Sequence, residues 1–121
     1  MAAPRADKDV MRALHICAAL SGALALALLA YAHHALGSPT SAMMAAIAQL
    51  SAACAGIVIA RGANVLGLVA GWIIVACAAL FASVIYLGLF GVHGFGMLAP
   101  IGGGGMIVGW ALLAFAKLSN G

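Results

Sequence analysis

The sequence predicts an all-α membrane protein: four transmembrane helices in a compact bundle, joined by short loops, with N and C termini cytoplasmic. Three observations carry that prediction. Of 121 residues, 67% are hydrophobic and only 6% charged, where an ordinary soluble domain has about 25% charged residues. Mean hydropathy is +1.24, and a chain this short has no interior large enough to hide that much apolar surface. Apolar stretches of about 20 residues, the length a hydrocarbon core of about 30 Å requires of a helix, recur four times. Finally, the basic residues sit on alternate connections. Arg5, Lys8 and Arg12 precede the first stretch, Arg61 separates the second from the third, and Lys117 ends the fourth. Basic residues stay preferentially on the cytoplasmic side, which puts both termini there.

Residues 1–12 are polar, and Pro4 with alternating charges predicts an extended start, with at most a short interfacial turn from about Asp7. Span one is expected at about 13–32. Ala18 and Gly22, and Ser21 and Ala25, are four residues apart, the spacing that puts small residues on one face and lets helices approach closely. Its basic start and Ala30-Tyr31-Ala32 also fit a signal peptide, but we read it as a retained span. His33 and His34 open the first loop, where Gly37 and Pro39 stop the helix.

Span two, about 41–60, carries one amide, Gln49, and a small-residue run that includes Gly56. Arg61-Gly62-Ala63-Asn64 reads as a tight turn. Span three, about 65–89, begins with Gly67 and Gly71 as a GxxxG pair and carries Ser83 and Tyr86 near its far end. A glycine-rich apolar loop containing His93 follows. Span four, about 97–118, holds four consecutive glycines, Gly102 to Gly105, just after Pro100, and a second GxxxG pair in Gly105 and Gly109. Glycine is a poor helix former in water, but in a bilayer the backbone must bond to itself and the helix is enforced. The run lacks the Lys-Ser/Thr of a phosphate loop. It reads as a close-packing surface or a local break, and this end of span four is expected nearer to its neighbour than Leu-rich span one. No loop is long enough for a second domain, so residues 1–121 form one membrane domain.

Several residues resemble the small four-helix membrane proteins grouped as domain-of-unknown-function family 423. They are Ser21-Gly22-Ala23, the exit Ala32-His33-His34-Ala35-Leu36, Ser83 and Tyr86, Pro100-Ile101-Gly102-Gly103, and Gly109-Trp110. The likeness covers roughly residues 12–118. In span two the family tends to have a tyrosine-glutamine pair and a histidine three residues beyond the glutamine. Here Gln49 is preceded by Ala48 and followed at that distance by Ala52. The resemblance implies a bacterial inner (cytoplasmic) membrane protein.

For chemistry, the absences weigh most. No Asp or Glu lies in any span, which argues against a proton-coupled exporter, since that needs a membrane carboxylate to take and release the proton. Five basic residues are too few for a nucleic-acid surface. Cys17, Cys54 and Cys77 match no metal or redox spacing and read as small buried residues. The polar groups at depth, Gln49, Ser21, Ser51 and Ser83, read as helix–helix or backbone hydrogen-bonding groups, with a quinone or lipid headgroup at Gln49 as the alternative. Trp72, Trp110, Tyr31 and Tyr86 fit an interfacial aromatic belt. His15, alone near the cytoplasmic end, reads as a snorkelling or capping residue.

The expectation is therefore a non-enzymatic membrane protein without a cofactor. It would be an accessory, structural or assembly subunit packing in a larger membrane complex or with itself, its other partners being membrane lipids. The packing positions are Gly22, Gly56, Gly67, Gly71, Gly102, Gly103, Gly105 and Gly109. Two alternatives stay open. One is a channel or transporter for a small solute or ion through a break at the glycine run. The other is a haem or copper site of His33, His34 and His93 on the non-cytoplasmic face, where Met43, Met44 and Met97 are expected at a similar depth and histidine with thioether suits copper(I).

Overall fold

The computed structural model describes residues 4–35, 40–91, 94 and 97–116. They form four helices: α1 (Pro4–Ala35), α2 (Thr40–Ala60), α3 (Val65–Leu89) and α4 (Leu98–Ala114). Helix α1 starts well before the expected Ala13, so the charged arm is helical rather than extended. Proline at a first helical position costs little, because its missing N–H would have no partner there and its φ is already helical. Helix α3 has the expected bounds. Its start is capped by Asn64, whose Oδ1 accepts from the Gly67 N–H at 2.9 Å, one of the donors a helix start leaves unpaired.

Helix α4 is shorter than expected. It ends at Ala114, where the Phe115 and Ala116 N–H groups turn back to the Leu112 and Leu113 carbonyls. Its 17 residues extend about 26 Å, less than a hydrocarbon core of about 30 Å. Three helices are long and apolar enough to cross a membrane, in the stretches Lys8–His34, Thr40–Ala60 and Val65–Leu89; α4 is apolar but short. The α3–α4 connection uses Gly91 (φ 90°) and Gly94 (φ 107°) in the left-handed region, where a Cβ would crowd the backbone.

The helices do not close into a ring. Helix α2 packs on α1 and α3, α1 reaches α3 only slightly, and α4 approaches α3 alone among the described helices. The core lies where the first three meet: Leu14 and Ala18 of α1, Ala52, Ala55 and Ile59 of α2, and Ile74, Val75 and Ala78 of α3. Gly56 sits at that junction. A Cβ there would stand 2.8 Å from the Ala18 Cβ and 2.9 Å from the Val75 Cγ2, closer than carbon atoms approach, so only a hydrogen fits. A second cluster of Ala32, Ala42, Ala45, Ala82 and Tyr86 packs the opposite end.

Candidate functional site

Three features take up the residues singled out from the sequence: a glycine seam, a polar groove and a histidine end.

The seam joins α4 to α3. Gly102, Gly105 and Gly109 recur at three- and four-residue spacing, so they lie on one helix face. A Cβ at Gly102 would come within 2.9 Å of both the Cys77 carbonyl oxygen and the Phe81 amide nitrogen. One at Gly105 would strike the Cys77 sulfur, and one at Gly109 would be 2.7 Å from the Ile74 Cγ1. Gly103 would only graze Phe81 at 3.9 Å, and Gly104 faces open space. The run is thus split by helical geometry: its two ends touch α3 and its middle does not. The α4 helix is continuous through it, so its carbonyls bond along the helix and no break is present. Elsewhere, Gly71 meets Leu14 and Ile59, Gly22 meets Ala53, and Gly67 meets Ala63 and Ala116.

The polar groove lies between α1 and α3, with α2 behind it. Its volume is about 320 Å³, and Leu24, Leu28, Gln49, Ala82, Ser83, Tyr86, Leu87 and Phe90 line it. Gln49 Nε2 donates to Ser21 Oγ at 3.2 Å, tying α2 to α1. Its Oε1 and the Tyr86 hydroxyl are buried with no hydrogen-bond partner among the described residues. The Ser83 hydroxyl donates to the Ala79 carbonyl at 2.6 Å and is satisfied within its own helix. Ser51 does the same with Ala48 at 3.0 Å. Sequence spacing marked Gln49, Ser21 and Ser83 as separate groups, and the fold brings Gln49 and Ser83 to one groove. Tyr86 departs from the expected belt: it is only 5% exposed, because the alanines around it leave room for a ring. Tyr31 remains exposed, its ring 5.6 Å from that of Phe90.

At the histidine end, His33 and His34 are exposed, with ring centroids 5.2 Å apart. They line a hollow of about 460 Å³ with Leu26, Leu29, Ala30 and Met43. His93 lies outside the described residues. Among those described, no three His, Cys, Asp or Glu side chains converge as a metal site would require. The cysteines are less hidden than expected. Cys17 and Cys54 are exposed and Cys77 is half-buried, because the first two fall on helix faces that no other helix covers.

The described residues are all-helical, and three of their four helices are apolar and long enough to span a membrane, the pattern of a membrane-associated protein. No family model, curated protein or solved structure matches it.

Proposed function

We propose that the chain is a non-enzymatic integral membrane protein whose role is to pack, as an accessory or assembly subunit of a larger membrane complex or as a homo-oligomer. One observation carries the reading. Helix α1 has small residues on two opposite faces. Ala18, Gly22, Ala25 and Ala32 face inward, and Ala18, Ala25 and Ala32 are buried. Ala19, Ala23, Ala27 and Ala30 fall on the other side and are all exposed. Only 22% of its apolar stretch is buried, against 50% for α2. Lipid tails are as apolar as leucine, so a surface that only faces lipid gains nothing from small side chains, whereas a docking helix does.

The orientation we propose has both termini in the cytoplasm and α4 as a fourth, short span, in a bacterial inner membrane. The likeness to domain-of-unknown-function family 423 supports that setting. A bilayer can thin locally to meet a short helix at modest cost. A fluorescent reporter fused after Gly121 would glow from the cytoplasmic side, and an exported-only reporter active there would refute the orientation.

Native gels of mild-detergent membrane extracts test the packing role. The reading predicts migration above monomer size, shifted down by Ala23→Leu with Ala27→Leu. A free monomer in every extract would count against it. A second reading, a soft-metal or haem site, is favoured by one observation: His33, His34 and Met43 line the same hollow. Metal analysis and an absorption spectrum of the purified protein decide it.

A further inference from the structure

The basic residues that orient the chain also converge in space. Lys8, Arg12 and His15 of α1 share a hollow of about 450 Å³ with Arg61, which follows the last residue of α2; Met11 and Ala60 complete its lining. The three α1 residues are four and three positions apart and therefore stack on one face of the helix, while Arg61 is supplied from the far end of the next helix. Asp9, on the same helix, does not line the hollow. All four basic side chains are exposed, so they keep access to an outside ligand. Topology alone requires these charges on one side of the membrane, but it does not require them around one hollow, where they repel each other.

We infer that this hollow binds the phosphodiester headgroup of an anionic phospholipid. Arginine grips phosphate oxygens in paired hydrogen bonds, and lysine adds a point charge. Depth selects a lipid over a free phosphate. The hollow lies where the apolar stretch of α1 begins, at Lys8, and where that of α2 ends, at Ala60. Exposed Ile16, one turn beyond Arg12 on the same helix face, gives the acyl chains an apolar start. Among the described side chains no carboxylate lines the hollow, which favours an anionic head over a zwitterionic one, since no described group there would receive an ammonium. Basic pockets between helices at the cytoplasmic surface hold such headgroups in general.

The inference rests on the membrane reading, and incorporation of the protein into phosphatidylcholine bilayers checks that reading separately. The test is native mass spectrometry of delipidated protein titrated with phosphatidylglycerol, phosphatidylcholine or inorganic phosphate. Phosphatidylglycerol should be retained in preference to phosphatidylcholine, and Arg61→Gln or Arg12→Gln should each weaken that retention about fivefold, one interfacial basic residue's share. Lys8→Gln, near the exposed start of α1, serves if either arginine variant fails to fold. Adding Val65→Lys to Arg61→Gln restores the charge at this end but outside the lining, and it should not restore retention. Equal retention of the two lipids, or full rescue by Val65→Lys, would overturn the site. Complete displacement by millimolar phosphate would overturn the lipid as its occupant.

Discussion

The two flanking helices, α1 and α4, use small residues differently. Helix α4 docks on α3 through Gly102, Gly105 and Gly109, and what faces away includes Ile101, Ile107 and Val108, all more than half exposed. It is held by a backbone-close seam, and the small residues it also exposes, Gly104, Ala111 and Ala114, are interrupted on that outer face by Ile107. Helix α1 docks through Leu14, Ala18, Ala25 and Ala32 and adds the Ser21–Gln49 hydrogen bond, yet keeps a second alanine face outside. The difference teaches that a small-residue spacing marks a packing surface without saying whether the partner lies within the chain.

Substitutions at the seam should break the comparison most sharply. Gly109→Leu places a branched side chain where even a Cβ is 2.7 Å from Ile74. Overpacking of this kind costs about 1–3 kcal/mol and sometimes more. The variant should lose α4 docking, read as a large fall in thermal midpoint in detergent. Gly104→Leu, five residues earlier on the open side, should leave the midpoint near wild type. Equal effects would mean that α4 is rotated about its axis from the position described.

Next in size is Gly56→Ala at the three-helix junction. It pushes on Ala18 and Val75 from two helices at once and should destabilise by about 1–3 kcal/mol, measured as the same midpoint. Ala18→Gly in that background relieves one of the two clashes and should recover part of the loss. On the outer face of α1, Ala27→Leu should leave the monomer's midpoint unchanged and reduce association, which separates folding from docking.

The smallest effect is expected at Gln49. Gln49→Leu loses a hydrogen bond to Ser21, and such bonds between membrane helices average about 0.6 kcal/mol. It also removes an oxygen that is buried without a partner, which offsets the loss. Stability within about 1 kcal/mol of wild type is expected. A much larger loss would mean that Gln49 is fully satisfied by a group not seen in the fold, such as bound water in the groove.

Much of the architecture was legible because hydropathy and turn chemistry act locally. The bounds of α3 follow from the Arg61–Asn64 turn and the apolar run behind it. The end of α4 was less legible, because nothing polar interrupts the apolar run between Trp110 and Lys117. The glycine run was legible as a packing surface but not as a split one. Which of four adjacent glycines touches a neighbour depends on helix rotation, and in apolar helices the pattern of large and small residues sets that only once the partner is known. The groove was less legible still. Gln49 and Tyr86 are 37 positions apart, and their shared site follows from how α2 and α3 pack rather than from any spacing. The basic hollow was hidden for the same reason: Arg61 meets α1 only because α2 returns the chain to its starting side.

The central claim is that the outer alanine face of α1 is a docking surface. Single cysteines placed along α1 in a cysteine-free background, then oxidised or cross-linked in native membranes, test it most directly. Positions 19, 23, 27 and 30 should give adducts, with a repeat of three to four residues, while exposed Leu20 and Leu24 at the edge of the stripe give weaker ones. Adducts absent from all four alanine positions, or spread evenly around the exposed side of α1, would contradict the claim.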